Sequence, residues 1–207
     1  METIFQQLLD NLQHITWLEV IAVVFGIISV FCSKANSVWV YPTGLVSTGI
    51  YAYMLALDDF KLYGEATLNV YYFVMSVYGW YHWTRKKGQE DTVTVSWTSK
   101  QEMLIAIAIS VVGWGIFYYL LSNYSASDVP IFDAFVSATA CSGMWLLARR
   151  KIENWIFLNI SNLVAIPLFV HKKLVLTAVL TVILFVVAIY GYLNWKKIYR
   201  QSLASGH

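Results

Sequence analysis

The chain has 207 residues, of which 58% are hydrophobic and 13% charged, with a formal net charge of +2 and a mean hydropathy of +0.59. A soluble domain carries about 25% charged residues, and one core of this size cannot hide so much apolar surface, so a polytopic membrane protein is expected. A net charge this small says little about partners, and no nucleic-acid partner is expected; Cys32 and Cys141 stand in apolar runs without CxxC or Cys/His spacing, as buried small residues do.

The first element is amphipathic. Residues 1–16 have no basic n-region and no small-residue cleavage site, so a signal peptide is not expected. Ile4, Phe5, Leu8, Leu9, Leu12 and Ile15 fall on one helical stripe, that of a helix lying on the membrane surface. Seven apolar runs follow, each near the ~20 helical residues that a bilayer core requires: 17–33, 37–57, 65–83, 103–122, 131–148, 154–170 and 174–195. The expected architecture is all-α, with seven transmembrane helices.

Charge orients these spans. With the N-terminus outside, Lys34, Arg85, Lys86, Lys87, Lys100, Arg149, Arg150, Lys151, Lys196, Lys197 and Arg200 fall inside, and only Lys61, Lys172 and Lys173 fall outside. That is the positive-inside pattern of an odd number of spans with a cytoplasmic C-terminus. Trp17, Trp39, Trp80, Trp83, Trp97, Trp155 and Trp195 lie near predicted span ends, as an aromatic belt would.

One ending occurs twice. SVYGWYHWTRKK at 76–87 returns as AIYGYLNWKK at 188–197. Aligning Trp39 with Trp155 and Trp83 with Trp195 matches the first three spans to the last three, a 3+1+3 parallel repeat about an axis along the membrane normal. The units are then residues 17–87, the first repeat; 88–130, a linker holding the fourth helix; 131–200, the second repeat; and 201–207, a tail. A carrier built from such repeats binds its substrate near the midplane between them.

Polar side chains inside a span cost energy unless they pair or line a cavity. Thr43, Ser47 and Tyr51 share one face of the second span, Glu65, Asn69, Tyr72 and Ser76 one stripe of the third, and Trp155, Asn159 and Asn162 one face of the sixth. These are the candidate substrate-binding residues. Packing explains some of them as well: Asn bonds helix to helix, hydroxyls bond back to their own helix, and Trp155 suits a belt. Together they offer donors, acceptors and stacking faces without charge, which suits a flat ring bearing hydroxyls, such as a nucleoside or vitamin.

No buried acid pair or histidine chain crosses the spans, so uniport is expected rather than ion coupling. No HExxH or GxSxG occurs, so no enzyme, cofactor or metal is expected. Pro42 and Pro167, in the second and sixth spans, can kink those helices. A non-transporting receptor or structural subunit and a sugar carrier are the rival readings.

The stretches WVYPTGLVSTGIYAYM (39–54), LNVYYFVMSVYGWYHW (68–83) and RRKIENW (149–155) resemble the PnuC family of vitamin transporters, over roughly residues 17–197. The resemblance implies two three-helix repeats joined by a linking helix, similar to the SWEET sugar transporters. It implies facilitated diffusion of an unphosphorylated vitamin or nucleoside, nicotinamide riboside first and thiamine or riboflavin as alternatives, with trapping by a cytoplasmic kinase. It also implies a homotrimer in a bacterial inner membrane. The family's sixth-span pattern W-x-x-W-x-x-x-N, which lines the site, falls on Trp155, Leu158 and Asn162, so one ring is missing; its polar third-span positions fall on Asn69 and Ser76.

Overall fold

The computed structural model describes residues 16–57, 63–87, 90–91, 93–125 and 127–204. The expected amphipathic segment ahead of residue 16, the turn around Asp58 and Asp59, and the last three residues lie outside the described residues. The apolar runs fold as helices: α1 (Trp17–Lys34), α2 (Val40–Leu57), α3 (Tyr63–Thr84), α4 (Lys100–Tyr124), α5 (Pro130–Ala148), α6 (Asn154–His171) and α7 (Val175–Ala204). A short hairpin, β1 (Lys86–Lys87) and β2 (Glu90–Asp91), follows α3.

Local chemistry sets several of these ends. At α4 the Ser99 hydroxyl accepts from the Glu102 N–H at 3.2 Å, and the Glu102 carboxylate accepts from the Ser99 N–H at 2.9 Å, a reciprocal cap. Thr16 caps α1 in the simpler way. Pro130 opens α5, where its missing N–H costs nothing. Pro42 likewise falls in the first turn of α2, so it does not break that helix, against the expectation of a kink there. Pro167 lies inside α6 and removes a donor from the ladder.

Among the described residues, α1, α4, α5, α6 and α7 are long and apolar enough to cross a membrane on their own. The α2 and α3 helices fall short because tyrosines and hydroxyls (Tyr41, Thr43, Ser47, Thr48 and Tyr51; Tyr71, Tyr72 and Ser76) dilute their apolar character. The protein is an all-helical, multi-pass membrane protein.

Packing joins six of the helices in a closed circuit, α1–α2–α3–α5–α6–α7 and back to α1, while α4 sits outside it, mainly against α5. Small residues let α5 pack on several sides: Ala138 to Gly143 are all buried. The Ser142 hydroxyl donates to the Ala106 carbonyl at 2.8 Å and lies 2.7 Å from the Ser110 hydroxyl, which ties α4 to α5.

The ends of the bundle differ in charge. Lys34, Arg85, Arg149, Arg150, Lys151, Lys196 and Arg200 gather at one, the basic end. There, residues 93–99 form a strap under the α5–α6 turn. Ser96 N–H donates to the Arg150 carbonyl at 3.1 Å, and Ile152 N–H donates to the Ser96 carbonyl at 3.0 Å. Thr98 N–H donates to both Glu153 oxygens at 2.9–3.0 Å, and Glu102 pairs with Arg149 at 3.1 Å and Lys151 at 3.0 Å. At the opposite end, Asp133 takes bonds from Ser127 and Lys172, and His171 meets Asp128 at 3.0 Å.

Candidate substrate site

Four aromatic rings close the middle of the circuit near the basic end. Tyr41 of α2 meets Trp83 of α3 edge-on at 5.1 Å, Trp155 of α6 meets Trp195 of α7 edge-on at 5.6 Å, and Trp83 lies 5.9 Å from Trp195. All four are buried in one core cluster. Each indole of the central pair bonds to the end of a helix in the other half of the chain: Trp83 Nε1 donates to the Ala148 carbonyl at 3.1 Å, and Trp195 Nε1 to the Ser33 carbonyl at 2.9 Å. The Arg150 guanidinium lies over the Trp83 ring at 4.2 Å and donates to the Val93 carbonyl.

This packing explains the repeated Tyr-Gly. A Cβ on Gly79 would overlap the Tyr41 ring, and one on Gly191 would stand 2.6 Å from Trp155. The glycines are the seats on which the two outer rings rest. The belt expectation therefore fails for Trp83, Trp155 and Trp195, which are interior, whereas Trp17, Trp39, Trp80 and Trp97 are exposed. The alignment of Trp39 with Trp155 also needs shifting. Trp39 is 64% exposed and Trp155 1% exposed, and it is Tyr41 that rests on Gly79 as Trp155 rests on Gly191. The turns share a geometry: Asn36 after α1, Arg150 after α5 and Lys173 after α6 have φ of 55°, 54° and 59°, and all three turns are closed by the same backbone bonds.

The sequence candidates divide by environment. Ser47 is buried against α1, where a Cβ on Gly26 would come within 3.1 Å of its oxygen; Ser76 is buried beside Gly44 of α2. Both sit in seams between helices. Thr43 donates to the Trp39 carbonyl at 2.6 Å, back along its own chain. Tyr72 is half-buried, its ring 6.3 Å from that of Tyr71. Tyr71 in turn donates to the Cys141 carbonyl at 2.9 Å, which joins α3 to α5. Tyr51, Asn69 and Asn162 are half-buried on their helices. Glu65 belongs to α3, but its side chain lies outside the described residues.

Trp155 and Asn159 come together at the floor of a cleft between α6 and α7. The cleft holds about 280 Å³, with Ile160 and Leu163 of α6 and Phe185 and Ile189 of α7 among its apolar walls. Trp155 Nε1 and Asn159 Oδ1 are themselves buried, without a hydrogen-bond partner. The α7 walls were not among the sequence candidates, since aliphatic residues in a span carry no sign of which neighbour they meet. The Gly191 seat was the usable signal, because it marks the face of α7 that α6 approaches.

The family described as nicotinamide mononucleotide transporter matches residues 16–197. The chain belongs to that family. Among similar proteins, the nicotinamide riboside transporter PnuC of Neisseria mucosa is 26% identical over 90% of this chain and 74% of its own. The PnuC of Escherichia coli is 20% identical over 87% and 85%. The riboflavin/roseoflavin transporter RibM of Streptomyces davaonensis is 24% identical over 88% and 86%. The crystal structure of the vitamin B3 transporter PnuC superimposes with a TM-score of 0.71 at 25% identity, over 96% of this chain and 88% of that one. This is a family of transporters rather than enzymes. Within it, Leu158 packs against the seam with α5, where a Cβ on Gly143 would come within 2.8 Å of its Cδ2.

Proposed function

We propose that this chain carries an unphosphorylated vitamin or nucleoside, nicotinamide riboside before the others, across a bacterial inner membrane by facilitated diffusion. The observation that carries the reading is the chemistry of the interior. From Val40 to Leu57, Tyr63 to Thr84, Asn154 to His171 and Val175 to Trp195 there is no Lys or Arg, and the buried Arg150 is engaged with Trp83 and the Val93 carbonyl at the basic end, while Trp155, Asn159, Asn162 and Asn69 offer a ring face and neutral polar groups. A riboside fits these groups better than a mononucleotide does. Trp155 stacks the ring, Asn162 and Asn69 bind the polar edge, and Tyr51, Tyr72, Thr43 and Glu65 line the remaining path, while Ser47 and Ser76 hold the seams between helices. Phosphorylation by a cytoplasmic kinase then traps the product.

We read the circuit as seven spans in a 3+1+3 arrangement, similar to the SWEET carriers, with α1–α3 related to α5–α7 about the bundle axis. The glycine seats 79 and 191 and the reciprocal Trp83 and Trp195 bonds support it. In this reading the aromatic quartet is the closed cytoplasmic gate, with the N-terminus outside, the C-terminus inside, and a homotrimer as the assembly.

Counterflow in proteoliposomes tests this. Vesicles preloaded with nicotinamide riboside should exchange it with labelled external substrate when no proton or sodium gradient exists. A requirement for either gradient rules out uniport, and binding without exchange makes the chain a receptor. Asn162→Leu should weaken binding, and an unchanged calorimetric affinity would remove Asn162 from the site. Riboflavin is the second reading, favoured by the Streptomyces relative; thiamine stands behind it.

A further inference from the structure

Three helices, α1, α5 and α6, end on a left-handed residue: Asn36, Arg150 and Lys173. Asn36 is half-buried and Lys173 exposed, whereas Arg150 is only 6% exposed. Taking a cation out of water is costly unless contacts replace its hydration. Arg150 has two kinds of replacement. Its guanidinium lies over the Trp83 ring at 4.2 Å, and it donates to the Val93 carbonyl. A planar guanidinium can do both at once, because its N–H groups lie in its plane and its charge is weakly hydrated. Stacking on the indole therefore gives up little hydration and gains the cation–π attraction, which is strongest where water is absent.

The same residue fastens the strap. Its carbonyl accepts from the Ser96 N–H, and its side chain donates to the Val93 carbonyl. These two bonds bracket Val95, which is buried in one cluster with Tyr41, Trp83, Trp155 and Trp195. Trp97 meets Tyr192 and Tyr199 of α7 edge-on, each at 6.4 Å. The strap thus covers the aromatic cluster at the basic end, with Val95 as its plug. Trp83 is gripped twice by the end of α5: its face by Arg150, its Nε1 by the Ala148 carbonyl. The turn after α1 carries the neutral Asn36, which offers no cation to Trp195.

We propose that Arg150 is a positioning residue of the cytoplasmic gate, clamping Trp83 of α3 to the strap so that ring and plug release together when α3 leaves α5. This rests on the reading of the chain as a carrier with the aromatic quartet as that gate. When α3 tilts away, the guanidinium loses the ring, water reaches it, and the cluster that buries Val95 opens. Arg150 thereby sets how often the cytoplasmic end opens, without touching the substrate.

A polar maleimide added to inside-out vesicles of the full chain tests it. The half-buried Cys32 beside the quartet reports opening, and the buried Cys141 of α5 reports unfolding. Arg150→Gln should label Cys32 about tenfold faster than wild type, through loss of a desolvated cation–π contact, with Cys141 still unlabelled. Arg150→Lys keeps a cation but lacks the planar fork, and its rate should fall between the two. If Arg150→Gln exposes Cys141, ring-fluorinated tryptophans placed at position 83 decide instead. Fluorine weakens the negative ring face with little change of shape, so each added fluorine should quicken Cys32 labelling. An unchanged or slower Cys32 rate in Arg150→Gln, an Arg150→Lys rate equal to that of Arg150→Gln, or a flat fluorine series overturns the clamp. Wild-type counterflow reports on the carrier reading separately. Exchange together with any of those results keeps the carrier and removes the clamp. No exchange, with the expected labelling, removes the carrier reading and keeps Arg150 as the clasp of the basic end.

Discussion

Gly79 and Gly191 each hold a place that no other residue fills without displacing an aromatic ring. Gly191→Ala should therefore cost about 1–3 kcal/mol, the usual range for overpacking, read from reversible unfolding in mixed micelles. Gly115→Ala in α4, where a Cβ meets nothing within 4 Å, should be neutral or stabilise by roughly 0.5–1 kcal/mol. Equal effects at the two sites would contradict the close seat. The same residues show what the sequence could reveal of the interior. Position along a span is legible, because apolar runs and basic clusters mark depth. The direction in which a side chain points is not, so Trp83, Trp155 and Trp195 read as belt residues although they face one another. Only the glycine four residues ahead of Trp83 and of Trp195 hinted at a close approach. The same limit applies to the hydroxyls: Ser47 and Ser76 share periodic faces with the binding candidates yet lie in helix seams.

Helices were the most legible level, since the bilayer demands nearly the same length of each run. Observed ends lie within a few residues of those read from the apolar pattern, except that α7 continues past Trp195 to Ala204. Tertiary contact explains the extension: Ile198 and Tyr199 pack against the aromatic core, and Trp97 stands 6.4 Å from Tyr199. The strap at 93–99 had no sequence signature, because its bonds to the α5–α6 turn, two between backbones and the rest through Glu153, Arg150 and Lys151, all join residues more than fifty positions apart. Glu153→Ala removes the acceptor of the Thr98 N–H and hydroxyl, bonds to a charged group worth about 1.5–3 kcal/mol each. Amide exchange at residues 96–98 should then quicken by roughly tenfold or more. Unchanged exchange would mean that the strap is held without Glu153.

At the scale of the molecule, the six-helix circuit is fastened across its halves by the two indole bonds. Trp195→Phe cuts the bond to the Ser33 carbonyl, next to the half-buried Cys32, which packs against the quartet. A polar maleimide added to inside-out vesicles should label Cys32 about fivefold faster in the variant, as the loss of one hydrogen bond of about 1 kcal/mol permits, while buried Cys141 stays unlabelled. An unchanged Cys32 rate would show that the bond does not hold this end shut. The circuit itself was beyond the sequence, since a repeat fixes which helices correspond and not which ones touch. The fastenings are also unequal. The α4 helix grips α5, and the strap grips the turn behind α5, so both load the half formed by α5–α7. In the carrier reading proposed above, that half is a chassis, and α1–α3 is the arm that tilts against it through the α3–α5 and α1–α7 edges. A transport stroke carried by the arm leaves α4 stationary, so any assembly built on the exposed face of α4 can stay intact through every cycle.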